Sequence, residues 1–230
     1  MPNSPISYAA VLRQLALITF GYLCFCFWLL SELEPSLKTN AGPLIEVAFL
    51  KISIPAFWLI FALAAALIFR LTKLHDRVSD IVGIRFRYDL KYVLLPLFSG
   101  THIPEDLRTS PKLFANRTKL MRAIFYKYLR PETQNSIPAH FIELAWDSLL
   151  WYWAVVEALV ITFLFTMFCL LWEAHIKSTL AYCALLLFLF IAYYLSKQSC
   201  IRHTTNEVDA ILEDQGRKLE ITTSINEILH

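Results

Sequence analysis

Glycine is scarce in this sequence, with five glycines among 230 residues. A loop that cradles phosphate groups needs closely spaced glycines, because only glycine lets the backbone approach the phosphates. No such loop is present, and Ser, His and Asp do not cluster in any order that indicates a nucleophile. These absences argue against nucleotide-dependent enzymes and hydrolases, and we predict a protein that is not an enzyme and binds no cofactor.

Paired cysteines are also missing. The five cysteines form an odd set without C-x-x-C spacing, and four of them fall inside apolar runs. Zinc sites and disulfide frameworks both depend on paired cysteines. His140 and Glu143 are one helical turn apart, but no second histidine follows to complete a metal site. We predict no metal site and interpret the cysteines as small apolar filler.

Charged residues are few, at 17%, whereas hydrophobic residues make up 57% and the mean hydropathy is +0.51. Four apolar stretches reach the roughly 20 residues that cross a ~30 Å hydrocarbon layer. They must be helices, because in lipid each backbone amide has to bond within its own segment. The predicted fold class is therefore an all-α polytopic membrane protein with four transmembrane helices and a helical cytoplasmic region. The predicted spans are residues 10–30, 44–69, 149–172 and 179–196.

Lysine and arginine are unevenly distributed along the chain. Thirteen of them lie between Arg70 and Asp147, whereas the two other loops hold only Lys38 and Lys177. Cytoplasmic loops carry the excess of Lys and Arg, so the sequence predicts a multi-pass cell inner-membrane protein with both termini in the cytoplasm. The predicted segments are a first helix pair (1–70), a cytoplasmic loop region (71–147), a second helix pair (148–196) and a cytoplasmic helical tail (197–230).

Residues 111–130 read as one basic amphipathic helix. Ser110 and Pro111 form an N-cap followed by proline in the first helical position, and Pro131 ends the helix. Three roles remain open for its basic face: contact with the anionic inner leaflet, nucleic-acid binding, or a solvated face of a cytoplasmic domain. The tether between two spans makes nucleic acid the least favoured. The candidate membrane-surface or partner-binding residues are Lys112, Arg117, Lys119, Arg122, Lys127 and Arg130.

Several helices are predicted to continue beyond the spans. Residues 71–82 extend the second span as a stalk until Gly83, and the third span begins near Pro138 as one long helix. After the fourth span, apolar residues repeat at near-heptad spacing, and a short helix follows from Leu219. We predict that the repeat, with Ile201, Val208 and Leu212, supports self-association.

Glu157 lies well inside the third span, where a carboxylate costs about 2.5–3.5 kcal/mol. It either lines a pore, couples protons or contacts another subunit, or it is a packing residue hydrogen-bonded to a neighbouring helix. Glu46 and Lys51 are further intramembrane polar candidates, and Lys51 is expected to snorkel to the outer headgroups. Pro55 is predicted to kink the second span.

These features predict a non-enzymatic, oligomeric inner-membrane anchor, sensor or scaffold that recruits a cytosolic protein, for instance in bacterial stress or phage defence. The alternative is an oligomeric ion channel or membrane-permeabilising effector, gated by its cytoplasmic helices, with Glu157 in the conduit. A transporter or intramembrane enzyme is less favoured because one central carboxylate in four spans leaves little room for a substrate site. The expected partners are the lipid bilayer, further copies of the chain and a cytosolic protein.

Overall fold

The chain is almost entirely helical in this computed structural model, which describes residues 8–34, 37, 44–47, 52–81, 84–101, 111–130, 136–172 and 175–229. The all-α class is confirmed, with one short two-stranded hairpin added. In chain order the elements are α1 (Tyr8–Leu33), β1 (Leu44–Val47), β2 (Ile52–Pro55), α2 (Ala56–Thr72), α3 (Leu74–Ile81), α4 (Ile84–Tyr88), a π-helix (Asp89–Leu94), α5 (Leu95–Gly100), α6 (Pro111–Ala115), α7 (Arg117–Ile124), α8 (Ala139–Leu171), α9 (Ile176–Leu212) and α10 (Gln215–Leu229).

Two compact units divide these elements. The apolar unit comprises Ser7–Arg77 and Leu149–Lys197. The loop–tail unit comprises Met1–Ile6, Val78–Ser148 and Gln198–His230, so the central loop and the tail, which were predicted as separate segments, belong together.

Within the described residues, three helices, α1, α8 and α9, are long and apolar enough to cross a membrane. The 33 residues of α8 confirm one continuous helix that begins near Pro138. Among the described residues, every large apolar side chain that is exposed lies in the apolar unit except Tyr126, Leu144 and Leu219. A water-soluble surface does not carry so much exposed apolar area, and the apolar unit is therefore compatible with a lipid environment.

The prediction of a helix from residue 44 to 69 is wrong in its first half. β1 and β2 pair antiparallel, with Glu46 opposite Ser53, and α2 begins only at Ala56. β-Branched side chains favour the strands, and Pro55, which lacks a backbone N–H, stands just before the first helical turn instead of kinking a helix. With 17 residues, α2 is about 25 Å long, shorter than the three other apolar helices.

Lys73 interrupts the predicted stalk. Its backbone is left-handed, with φ 47° and ψ 55°, and its N–H caps the end of α2 on the carbonyl oxygen of Arg70 at 3.3 Å. A non-glycine residue in this conformation costs about 1–2 kcal/mol and cannot continue a right-handed helix. The predicted stalk is therefore not one helix with the second span: its first two residues end α2, and α3 is a separate helix. Val82 and Gly83 lie outside the described residues.

Small residues and buried thiols pack the apolar unit. Ala62 and Ala66 of α2 are buried in the cluster that α1 also enters, and small side chains let two helices approach closely. Cys24, Cys26 and Cys169 are free thiols in the same cluster. The interpretation as small apolar filler is confirmed for these three cysteines, whereas Cys183 is exposed and Cys200 accepts a hydrogen bond from Tyr88.

The loop–tail unit has a hydrophobic core of its own. Its buried members come from the central loop, from the start of α8 and from the tail. They are Val93, Leu94, Leu97, Phe98, Leu113, Leu120, Met121, Ile124, Phe125, Tyr128, Ile137, Ile142, Val208, Ala210, Ile211, Ile221, Ile225 and Leu229. A contiguous core of this kind defines a folded domain rather than a flexible loop.

The single basic helix predicted over residues 111–130 is wrong in its continuity. Pro111 starts a helix as expected, but α6 stops at Ala115 and α7 covers only Arg117–Ile124. At the break, Asn116 donates from its side-chain nitrogen to the carbonyl oxygen of Lys112 at 3.1 Å. The backbone N–H of Asn116 also binds that carbonyl oxygen, at 3.0 Å, so the break lies in the backbone angles of Asn116 (φ −98°, ψ 9°) and not in its hydrogen bonding.

Candidate functional site

Glu157 is buried in the apolar unit, with 3% of its surface exposed. Its carboxylate accepts a hydrogen bond from Oγ1 of Thr19, which brings α8 and α1 together. A buried carboxyl group needs such a partner, since leaving it unpaired would cost several kcal/mol. The contact agrees with the packing interpretation of Glu157, and its role in a pore or in proton coupling stays a prediction.

A cavity of about 10 Å³ lies beside Glu157. The guanidinium-bearing Arg70 of α2 lines the same cavity, together with apolar residues such as Leu15 and Ala66. This volume admits about one water molecule. A carboxylate and a cation therefore border a small space among α1, α2 and α8.

Two further polar contacts fasten α1 within the apolar unit. The hydroxyl groups of Tyr22 and Thr162 are 2.5 Å apart, and Tyr182 donates to the carbonyl oxygen of Cys26 at 2.6 Å. In an apolar environment each polar atom must find a partner inside the protein. Together with Thr19, these contacts fix the rotation of α1 about its axis.

Glu34, just past the end of α1, was not singled out in the sequence. It is 7% exposed and accepts hydrogen bonds from the backbone N–H of His175 at 2.7 Å and the hydroxyl of Ser178 at 2.6 Å. A carboxylate at this position caps the first turn of α9 and complements its dipole. The sequence carries no signal for this role, because the partners are more than 140 residues away.

The other candidate residues that were predicted in the spans and the tail lie in different elements. Glu46 lies in β1, and Lys51 lies outside the described residues. Val208 is 1% exposed in the core of the loop–tail unit, and Leu212 packs against that core, while Ile201 is half-buried. Val208 and Leu212 are thus used inside the chain, and self-association stays a prediction.

Three of the six candidate basic residues form an ion pair or a hydrogen bond inside the loop–tail unit. Arg117 forms an ion pair with Asp89, and Lys127 forms one with Glu220. Nζ of Lys112 donates to the carbonyl oxygen of Leu229 at 3.1 Å, the position at which a cation complements the end of a helix. Lys119, Arg122 and Arg130 are exposed, as Lys112 and Lys127 also are.

Asp89 begins the π-helix and is 7% exposed. Burial raises the pKa of Asp89, and the charges of Arg117 and Arg85 oppose that rise. The wide turn, in which the N–H of Leu95 binds the carbonyl oxygen of Leu90, relieves the clash that Pro96 would cause in an α-helix. π-Turns frequently occur at functional sites, and here the turn directs a carboxylate inward.

The charges of loop and tail are complementary. Residues 78–148 carry ten Lys and Arg against seven Asp and Glu, whereas residues 198–230 carry three against six. The ion pair between Lys127 and Glu220 joins the two segments. The net charges of the two segments, +3 and −3, are therefore opposite in sign, and this complementarity is present in the sequence.

The comparisons with known proteins agree with one another. A model of the YmfE protein family matches residues 7–223. The Escherichia coli (strain K12) protein "Uncharacterized protein YmfE" is 24% identical over 176 residues, which is 72% of this chain and 70% of that protein. No solved structure matches the chain. Because the family model covers nearly all of the sequence, the chain belongs to the YmfE protein family.

Proposed function

We propose that this protein is a non-enzymatic inner-membrane anchor whose loop–tail unit recruits a cytosolic protein. The observation that carries the proposal is the separate hydrophobic core of that unit. A segment that merely joined two spans would not need a core drawn from both the loop and the tail. A folded domain tethered to apolar helices suits a protein that holds a partner at the membrane.

The proposed topology has four spans, with α2 as the second. At about 25 Å, α2 is short, but Arg70 in its last turn suits an interfacial anchor that lets a short helix match the bilayer. The cationic side chains that follow α2 suit the cytoplasmic side. Both termini then face the cytoplasm.

Exposed cations on α7 supply the surface that we assign to the partner. Lys119 and Arg122 are three residues apart on one helical face, and the partly exposed Tyr126 follows α7. Arg and Tyr are enriched among the residues that dominate binding energy at interfaces. Two adjacent cations favour an acidic surface on the partner.

The test is chemical crosslinking of the full chain in intact cells, with crosslinked proteins identified by mass spectrometry. We expect a cytosolic protein to crosslink to the wild type. In the double variant Lys119→Ala/Arg122→Ala, the amount of crosslinked protein should fall about tenfold, which corresponds to a loss of about 1.4 kcal/mol in binding free energy. The double variant Arg87→Ala/Lys91→Ala, which removes the same charge from another exposed helical pair, should retain it. Equal crosslinking in both double variants would contradict the assigned surface.

The purified full chain, reconstituted in liposomes, distinguishes the alternative function. Ion flux into liposomes that is abolished by Glu157→Gln, with assembly intact, would favour a channel over an anchor. The observation that keeps this alternative is the cavity that Glu157 shares with Arg70. A wild-type chain without flux would remove it.

A further inference from the structure

A buried polar row runs along α9 inside the loop–tail unit. Cys200, Thr204 and Glu207 are spaced by four and three residues, so they share one helical face, and each is at most 7% exposed. They follow the predicted fourth span, in the part of α9 that belongs to the loop–tail unit. None of them takes part in the anchor function proposed above.

Tyr88, the last residue of α4, reaches this row from the central loop. Its hydroxyl donates to Oγ1 of Thr204 at 2.8 Å and lies 3.3 Å from Sγ of Cys200. Ser148 of α8 also forms a hydrogen bond with Cys200. The cluster therefore joins the central loop to the tail through polar groups that are shielded from water.

Glu207 is the titratable carboxyl group of the cluster, and 4% of its surface is exposed. Burial raises the pKa of Glu207 to about 8. Among the described residues, Tyr88 from α4 and Cys200 from its own helix interact electrostatically with Glu207, and burial raises the pKa of each. Asp89 differs, since Arg117 and Arg85 partly offset its burial.

We propose that Tyr88, Cys200, Thr204 and Glu207 form a proton-dependent latch that holds the central loop on the tail. A protonated Glu207 is tolerated in the closed cluster, whereas an ionised carboxylate is strongly disfavoured there unless water or a cation reaches it. Opening of the latch supplies water, breaks the Tyr88 contacts and exposes the thiol of Cys200. The latch is a property of the loop–tail unit and operates with or without a bound partner.

The direction of the pH effect follows from proton binding. In the open state Glu207 has a pKa near its ordinary value of 4.5, so between pH 4.5 and about 8 the closed state binds more protons. A rise in pH through this window therefore favours opening, by up to about tenfold in the equilibrium for each pH unit. Acidification closes the latch.

Cys200 is a built-in reporter for this opening. The full chain in lipid nanodiscs is treated with a maleimide, and labelling of the Cys200 peptide is followed by mass spectrometry at about pH 5.5 and pH 7.5, within the window of the linkage. Each rate is divided by that of a free peptide thiol at the same pH, which removes the effect of thiolate formation. We expect the corrected rate to rise by up to about a hundredfold over these two units in the wild type.

Two variants locate the effect in one carboxyl group. Glu207→Gln cannot ionise and should keep the low-pH rate at both values, whereas Asp209→Asn, an exposed carboxylate on the same helix, should follow the wild type. A wild-type rate that does not change with pH, or an equal rise in Glu207→Gln, would overturn the latch.

Hydrogen exchange provides a readout that needs no variant. In the wild type, the amide protection of residues 84–88, corrected for intrinsic exchange, should fall over the same pH range and by the same factor as Cys200 becomes reactive. Constant protection of these amides would also overturn the proposal, whether or not Glu207→Gln folds.

Discussion

Replacement of Arg117 by methionine tests the ion pair that joins α7 to the π-helix. The side chains of Arg117 and Asp89 are 21% and 10% exposed, so the pair is largely removed from water. Methionine keeps most of the length of the arginine stem but leaves the carboxylate of Asp89 with one of its two nearby cations, Arg85. We therefore expect the loop–tail unit to lose stability.

The expected magnitude comes from the burial of the pair. Removing one partner of a buried ion pair costs about 3–5 kcal/mol, because the other charge stays buried without its counter-ion. Arg85 remains, so we expect the lower end, about 3 kcal/mol, or roughly a hundredfold in the opening equilibrium. The loss should shrink as the pH falls, because burial raises the pKa of Asp89 and its protonated form needs no counter-ion.

Hydrogen exchange of the π-helix and α7, measured on the full chain in nanodiscs, checks this prediction. Lys127→Met is the matched control, since the side chains of Lys127 and Glu220 are 43% and 37% exposed and such surface pairs contribute less than about 1 kcal/mol. The double variant Arg117→Met/Asp89→Leu should recover much of the loss, as an apolar pair needs no counter-ion. If Arg117→Met changes exchange no more than Lys127→Met does, the reasoning from burial is wrong.

Three further substitutions probe packing and capping. Gly100→Ala places a Cβ 2.7 Å from the Leu212 side chain and should destabilise the loop–tail unit by about 1–3 kcal/mol. Leu212→Ala in the same chain should partly relieve the clash. If thermal unfolding shows that the losses of stability from the two substitutions simply add, the contact is excluded. Ala62→Leu should separate α1 from α2 and lower the melting temperature in detergent, whereas Ala64→Leu at an exposed position should not; equal shifts would count against the close approach. Glu34→Ala should remove the cap of α9, at about 1 kcal/mol, with faster exchange of its first amides as the readout; unchanged exchange would show that the cap contributes nothing.

The long apolar helices were predictable because a membrane span is a local signal. Helices α1, α8 and α9 follow from runs of apolar residues alone. The hairpin was not predicted because a short apolar run with β-branched residues, such as Ile45 and Ile54, is compatible with either a strand or a helix. Only the pairing of β1 with β2 decides between them.

The sites were predictable only in part. Glu157 was foreseen as a polar group inside a span, but its partner Thr19 is 138 residues away and no local pattern connects them. The opposite charges of loop and tail are visible in the sequence, but the pairing of Lys127 with Glu220, 93 residues away, is not. Glu207 adjoins Val208 of the near-heptad repeat, and an apolar repeat does not predict that a neighbouring carboxyl group is buried.

The shared core of loop and tail has a consequence for biosynthesis. A ribosome synthesises Val93 long before Ile225 and Leu229, so this core cannot close until about 130 further residues, including two hydrophobic helices, have been made. At translation rates of about 5–20 residues per second, the apolar side chains of the loop stay uncovered for roughly 7–26 seconds. A chaperone has time to bind during that interval. Messenger RNAs that end before the codons of α10 should yield chains that insert into the membrane normally and are then removed by quality-control proteases.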